Sequence, residues 1–181
     1  MAETPKNVPE LAERYQDVFR EAARVGDGVA LGFAKLALGR WHVGPGGIAL
    51  ASEANDRAGV ARQALGYLNG AIRHFQSQGM DPWLHFGLIQ AAKAYFDLGQ
   101  LDDVGKCFDN ANTILPRFPI LTSHQYEVIA QLKTARGDPD AEQLYVDAVR
   151  IAQESGLTRR HEFLEEILSR YRGRTAPNGD Q

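Results

Sequence analysis

The sequence predicts an all-α protein in which short helices pack against each other as antiparallel pairs. Apolar residues recur at intervals of three and four along most of the 181 residues, and no segment shows the alternating β-branched pattern of a strand. Hydrophobic residues make up 44% of the chain and charged residues 24%, which is ordinary for a globular protein. We expect one helical domain over 10–172, with polar tails at 1–9 and 173–181.

The composition argues against several functional classes. The formal net charge of −3 gives no reason to expect binding to nucleic acid or to an anionic membrane. The single cysteine, Cys107, excludes an internal disulfide framework. The first ten residues lack the pattern of a secretory signal, and no apolar run reaches the roughly 18 residues that a membrane helix needs. We therefore expect a cytoplasmic location.

Two helices are predicted near the N-terminal end. The first carries an apolar stripe at helical spacing, formed by Leu11, Tyr15, Val18, Phe19, Ala22 and Val25. The sequence Gly26-Asp27-Gly28 ends this helix. The second helix, from about Val29 to Trp41, is apolar on most faces, which predicts burial. The loop His42–Gly47 follows, and the segment 48–79 forms either a hairpin or one long irregular helix.

The most informative segment is the window 85–118, whose spacing suits two short helices that close tightly on each other. Ala91 and Ala92 are small enough to let the second helix approach the first. Gly99 suits the left-handed residue that ends the first helix, and Pro116 ends the second because proline cannot continue a helix. Asp81-Pro82 would start the first helix as N-cap and N1 residue. The remaining spaced residues are Leu88, Tyr95, Val104, Phe108, Ala111 and Ile114.

The same spacing recurs more weakly on both sides of this window. Before it, Gly59, Ala64, Leu68 and Ala71 stand 40 residues ahead of Gly99, Val104, Phe108 and Ala111. After it, Ala130 and Gly137 follow Ala92 and Gly99 by 38 residues, and Tyr145 and Ala148 follow Phe108 and Ala111 by 37. These offsets predict weaker repeats at about 45–78 and 122–155. In the last repeat, Asp138 and Pro139 would start the second helix.

In its length and in its order of small, aromatic, glycine and proline positions, the window 85–118 resembles a tetratricopeptide repeat. The resemblance implies an α-solenoid of about three helical hairpins with a C-terminal capping helix. The segment from Thr158 to Arg172 fits such a cap, because one apolar stripe is surrounded by charged residues. That stripe contains Phe163, Leu164, Ile167, Leu168 and Tyr171. The alternative is a well-packed helical hairpin that belongs to no repeat family.

The resemblance also implies where a partner binds, because the first helix of each tetratricopeptide repeat lines a concave groove. By position, the central repeat contributes Phe86, Ile89, Gln90, Lys93, Phe96 and Asp97, and the next contributes His124, Glu127, Val128, Gln131 and Thr134. The alternative is that Phe86, Ile89 and Phe96 pack against adjacent helices or a terminal segment. A groove of this composition suits an amphipathic helix or an extended apolar segment. It does not suit the acidic tails of heat-shock proteins, because Glu127 would repel them.

We therefore expect a non-catalytic scaffold or adaptor that binds a protein or peptide and needs no cofactor or metal. Nucleic-acid and membrane partners are not expected, and a homo-oligomer is compatible with the pattern. One alternative is a small-ligand-sensing module related to the repeat domains of bacterial transcription regulators, with a pocket closed by Trp41, Trp83 and the His42–Gly47 loop. Another is a secretion-type chaperone that shields an unfolded partner.

Motifs for nucleotide binding or catalysis are weak. Gly26, Gly28 and Gly32 follow no predicted strand, and the third glycine is one residue late for a dinucleotide-binding loop, so close helix packing explains them better. The glycines of the His42–Gly47 loop could hold an anion, although a plain connector fits better. Cys107 lacks the electropositive surroundings of a nucleophile.

The five histidines do not show the spacing of a metal site, and His161 with Glu165 forms only a two-ligand pair. The arginine-rich segment 158–174 also contains glutamates, which predicts a solvated face rather than an RNA-binding site.

Overall fold

The computed structural model describes residues 8–44, 47–48, 51–52, 56–118 and 120–175, and within these ranges every regular element is a helix. The all-α class predicted from the sequence is therefore confirmed. The helices are α1 (Val8–Val25), α2 (Gly28–Val43), α3 (Arg57–Ser77), α4 (Asp81–Asp97), α5 (Leu101–Asn112), α6 (Ile120–Ala135), α7 (Ala141–Glu154) and α8 (Thr158–Thr175). A short 3₁₀ turn, Leu115–Arg117, precedes α6.

The chain divides into two compact units, Met1–Ile114 and Leu115–Gln181. In the first unit each helix from α1 to α5 packs against the next, and α2 also contacts α4. In the second unit α6 packs against α7, and α7 against α8. Helical arrays contact mainly their neighbours in sequence, so this division does not decide whether 10–172 is one domain. That expectation stays a prediction.

Five helices end in the same way, on a glycine with a left-handed backbone. Their φ angles are 73° at Gly26, 64° at Gly79, 72° at Gly99, 70° at Gly137 and 68° at Gly156. After each glycine, the next amide donates to the carbonyl five residues back, as in Gln100 to Tyr95 and Asp138 to Lys133. This bond is the signature of the Schellman motif. The helix ends predicted at Gly26 and Gly99 are confirmed, and Gly137 repeats the geometry of Gly99.

The helix starts agree less well with the sequence. The carboxylate of Asp27 caps α2 by accepting from the amide of Ala30 at 2.9 Å. Helix α4, however, begins at Asp81 with Met80 in the N-cap position, so the prediction of Asp81 as N-cap is wrong by one residue.

The predicted start of α7 is wrong by two residues. Its N-cap is Asp140, and Pro139 lies in the preceding turn. Asp138 instead accepts from the amide of Asp140 at 2.9 Å, which folds the turn, and pairs with Lys133 at 3.0 Å.

In the first weak repeat, the start of the second helix is clearly defined. Asp56 caps α3 by accepting from the amide of Gly59 at 2.7 Å, so α3 starts at Arg57 and 48–79 is not one long helix. Gly59 lies in the first turn of α3, whereas its counterpart Gly99 lies between two helices. Helices α2 and α4 both pack against α3, and the first helix of the predicted repeat falls partly outside the described residues, so the repeat at 45–78 stays a prediction.

Small residues allow the helices of the first unit to approach closely. A Cβ on Gly32 would lie 2.3 Å from Cδ2 of His74, and one on Gly39 would lie 2.4 Å from Cγ of Leu68. These contacts join α2 to α3, which confirms that Gly32 serves close packing. The core that forms there contains Leu36, Ala64, Leu65, Leu68, Ala71, Phe75, Ala91, Ala92, Ala94 and Cys107.

The terminal helices bury only part of their apolar stripes. On α1, Ala22 is buried but Val18 and Val25 are exposed; the side chain of Leu11 lies outside the described residues. On α8, Leu164 and Leu168 are buried and Phe163 is 48% exposed. Helix α8 runs to Thr175, so it continues into the segment predicted as the C-terminal tail. The N-terminal tail prediction falls mostly on residues 1–7, outside the described residues.

Replacing Gly99 by alanine should lower the free energy of unfolding by about 1 kcal/mol, because a Cβ at φ 72° strains the backbone. Urea denaturation followed by circular dichroism measures this change. The matched control is Gly105→Ala, inside α5, where nothing lies within 4 Å of the added Cβ. The control should raise stability by up to about 1 kcal/mol. Changes of the same sign in both variants would contradict the role assigned to Gly99.

Candidate functional site

An aromatic patch with a partly exposed tryptophan forms where α2 meets α4. It consists of Phe33, Trp83 and Phe86, with Arg40 beside them. The Phe33 and Trp83 rings meet edge to face at 4.8 Å, and the Trp83 and Phe86 rings lie 6.5 Å apart. The guanidinium carbon of Arg40 stands 5.8 Å from the centre of the Phe86 ring. Trp83 nevertheless keeps 42% of its surface exposed.

Helical spacing explains why these side chains meet. Trp83 and Phe86 are three residues apart on α4, and Phe33 and Arg40 are seven apart on α2, so each pair shares one face of its helix. Phe33 also packs against the buried Phe75 ring at 5.3 Å, which anchors the patch to the core. A rigid aromatic surface of this kind, with an arginine at its edge, has the composition typical of interface hot spots.

The predicted groove residues of α4 divide into two sets. Phe86, Lys93, Phe96 and Asp97 keep part of their surface accessible. Ile89 is 0% exposed and Gln90 is buried. A partner cannot reach Ile89 or Gln90 in this conformation, so their expected place on an open surface is wrong. The alternative foreseen for Ile89, packing within the fold, is what the structure shows.

Asp97 forms an ion pair with another helix. Its carboxylate accepts from the guanidinium of Arg57, at the start of α3, at 2.6 Å. The Arg57 side chain is largely exposed, so this pair contributes at most about 1 kcal/mol to stability. Arg57 and Asp97 both line a cleft, to which they contribute charged side chains.

The cleft is partly open and has a volume of about 230 Å³. It is lined by His42, Val43, Gly47, Ile48, Ala51, Ser52, Arg57, Val60, Ala61 and Asp97. Typical pockets for drug-sized ligands have about 300–1,000 Å³. The lining includes part of the His42–Gly47 loop, as expected for a small-ligand pocket. Neither Trp41 nor Trp83 occurs among these lining residues. The cleft therefore differs from the expected pocket, which those two tryptophans would close.

His42 is the buried ionisable group of this cleft. Its Nδ1–H donates to the carbonyl of Leu38 at 2.7 Å, and its ring lies 5.5 Å from the ring of Tyr67. Burial lowers the pKa of His42. The hydrogen bonds to Leu38 and Gln63 favour the protonated form and act in the opposite direction, but burial has the larger effect. The neutral imidazole is therefore the form that the fold favours.

Some of the predicted groove residues of α6 make contacts within the second unit. One carboxylate oxygen of Glu127 accepts from Arg160 at 2.8 Å, and the other accepts from the amide of Gln131 at 2.8 Å. Val128 is fully buried, and His124 is partly buried. Glu127 therefore lies against α8 rather than on an open surface, whereas Gln131, which is half-buried, contacts Glu127 and its place in a groove stays a prediction.

Sequence reasoning missed two members of this network. Arg160 was expected on the outer, charged face of α8, but it points inward and also donates to the hydroxyl of Ser123 at 3.1 Å. Ser123 is fully buried and donates to the carbonyl of Ala148 at 3.0 Å. One signal was present in the sequence: Arg160 precedes Leu164 by four residues, so both lie on the same face of a helix.

The remaining reactive groups are placed as follows. Burial and, to a lesser degree, the charge of Asp103 raise the pKa of the Cys107 thiol to about 11. His161 and Glu165 lie 3.5 Å apart, one turn from each other on α8. Within the described ranges, no three histidine, cysteine, aspartate or glutamate side chains come together as a metal site. Over the same ranges, no helix has the length and apolar character needed to cross a membrane.

Comparison with known proteins gives no relatives. No family model, no curated protein and no solved structure matches this chain. The resemblance to tetratricopeptide repeats therefore rests on the sequence pattern of the window 85–118.

Cys107 should react slowly with thiol reagents in the native protein. A pKa near 11, against the usual 9.0, lowers the thiolate fraction at pH 8 about a hundredfold, and burial restricts access further. The rate of reaction with Ellman's reagent, with and without denaturant, measures the difference. A native rate close to that of the denatured chain would contradict the buried position of Cys107.

Stability should fall as the pH drops through the ordinary pKa of histidine, near 6.5. The folded state holds His42 at a lowered pKa, so the stability that this residue confers is present above 6.5 and is lost on acidification. The urea midpoint should therefore decrease between about pH 7.5 and about pH 5.5. His42→Gln cannot titrate and keeps a donor for the Leu38 carbonyl, so its midpoint should decrease less. An identical pH dependence in both proteins would contradict this assignment.

Proposed function

We propose that this protein is a non-catalytic interaction module of tetratricopeptide-like architecture, which binds a helix or an extended apolar segment of a partner protein on the aromatic patch. The observation that carries the proposal is Trp83, a large aromatic side chain that packs edge to face on Phe33 and is yet 42% exposed. Aromatic and arginine side chains in this setting provide much of the affinity at protein interfaces.

The correspondence between two helix pairs supports the tetratricopeptide-like architecture. Gly99 and Gly137, 38 residues apart in the chain, end α4 and α6 with nearly the same φ, 72° and 70°. Ala92 and Ala130, which precede them by seven residues, are both fully buried. In the helices that follow, Ala111 and Ala148 are fully buried as well. Equivalent sequence positions thus have equivalent structural roles, as expected of repeats.

The chemistry of the patch favours an apolar partner segment over an acidic one. The accessible surface is formed by aromatic rings with a single guanidinium, Arg40, at the edge of Phe86. The positions where related repeats hold acidic tails carry Ile89 and Val128, both fully buried, and Glu127, whose charge already pairs with Arg160. The preferred partner is therefore an amphipathic helix or extended segment with an apolar anchor that packs on Trp83.

The cleft beside His42 supports a second candidate function, the binding of a small ligand by a regulatory module. Its walls combine apolar side chains with the Arg57–Asp97 pair, which could meet a small polar molecule. The cleft is smaller than most pockets for drug-sized ligands, so we rank this function below the binding of a protein segment.

Replacing Trp83 by alanine should remove the partner from affinity pull-downs made with native lysate and read by mass spectrometry. Loss of an aromatic side chain that becomes buried in the complex weakens binding by about tenfold or more. The matched control is Phe163→Ala, because Phe163 is a comparably exposed aromatic residue on α8, at 48%. The control should retain the partner, and thermal melts should show that both variants are folded. A partner kept by Trp83→Ala, or lost equally from both variants, would place binding elsewhere.

A further inference from the structure

Helix α8 contacts the α6–α7 pair through a regular stripe of side chains and through an ion pair in which Arg172 donates to Glu142 of α7 at 2.7 Å. Arg160, Leu164 and Leu168 follow one another at four-residue intervals and therefore form one stripe on α8. Leu164 packs with Ala148 and Ala152 of α7 and with Tyr126 of α6. Leu168 packs with Ala130 of α6 and Tyr145 of α7, where Ile167 and Tyr171 add partly buried surface.

Arg160, the first residue of this stripe, pairs with the buried carboxylate of Glu127 on α6. The Glu127 side chain is 9% exposed and that of Arg160 is 25% exposed, so their ion pair is largely removed from water. Without Arg160, the Glu127 carboxylate would lose its guanidinium partner and keep the hydrogen bond from the side-chain amide of Gln131. A buried charge that loses its partner is strongly destabilising, whereas an apolar pair at the same place would be as stable. The pair therefore selects which helix can lie there.

The surface under α8 has the shape of a helix-binding site. Its floor is made of alanines that are fully buried, namely Ala130, Ala148 and Ala152, and these leave room for leucine side chains. Most other residues of α8 face solvent, including its charged residues Glu162, Glu165 and Glu166. The connection to α7 is short and turns on Gly156 at φ 68°. Helix α8 is thus held by its buried stripe and by the Arg172–Glu142 pair.

We propose that the face of α6 and α7 under α8 is a second protein-binding site, and that α8 is its built-in occupant. The partner is a helix with an arginine followed at four-residue intervals by two leucines, so that it reproduces Arg160, Leu164 and Leu168. The Glu127 carboxylate needs a cationic partner, and the small alanine side chains leave space for the two leucines. Release of α8 is required before such a helix binds. The proposal concerns the second unit alone and does not depend on the aromatic patch.

The test uses the full chain and a fluorescein-labelled peptide with the sequence of residues 157–175, with binding followed by anisotropy. In the wild-type chain, α8 is tethered and competes at a high effective concentration, so the peptide should bind weakly. Arg160→Ala weakens the tethered helix but leaves Glu127 in place, so this chain should bind the peptide at least about tenfold more tightly. Leu168→Ala in the chain weakens α8 by a different contact and should have the same effect.

Two further measurements make the result specific for the ion pair. A peptide with the Arg160→Ala change should bind the Arg160→Ala chain at least about tenfold more weakly than the unchanged peptide. In a chain that carries both Arg160→Ala and Glu127→Gln, this preference for the arginine peptide should disappear. Circular dichroism checks that the chain variants are folded. Equal peptide affinity of the wild-type, Arg160→Ala and Leu168→Ala chains would overturn the proposal. So would a preference for the arginine peptide that is undiminished in the chain carrying Glu127→Gln.

Discussion

Close contact between helices through glycine and alanine is the constraint on which the rest of this structure depends. The helices have 12 to 21 residues, as in α5 and α3, a length at which an isolated helix is marginal in water. Their stability must therefore come from packing. Gly32 and Gly39 bring α2 against His74 and Leu68 of α3, at distances that no larger residue permits. The left-handed glycines at the helix ends serve the same contact, because they reverse the chain within a few residues.

The parts of the fold that could be predicted are those with one strict local requirement. A left-handed helix end strongly favours glycine, so Gly26 and Gly99 could be recognised in the sequence. Helix starts have looser requirements, since several aspartates near a start can accept from backbone amides, and the starts at Asp81 and Asp140 were misplaced by one or two residues. Gly59 matched Gly99 in sequence position but not in conformation, because it lies in the first turn of α3 rather than between two helices.

The candidate sites were harder to predict because burial depends on tertiary neighbours. Spacing placed Phe86 and Ile89 on adjoining positions of α4, but it could not show that Ile89 is fully buried while Trp83 stays exposed. A charged residue on a terminal helix is usually solvated, so Arg160 was expected to face water. Its partner, Glu127, lies 33 residues earlier in the chain, and no local pattern links the two.

The aromatic patch around Trp83 and the surface of α6 and α7 under α8 have different physical requirements. An exposed aromatic side chain such as Trp83 can stay uncovered at little cost, because much of any protein surface is apolar. A buried carboxylate such as Glu127 cannot stay uncompensated, because desolvation without a cationic partner costs several kcal/mol. A helix that covers this surface must therefore bring a cation to Glu127, as Arg160 of α8 does. The surface under α8 is therefore selective for the charge of the helix that covers it, whereas the exposed face of Trp83 imposes no such condition.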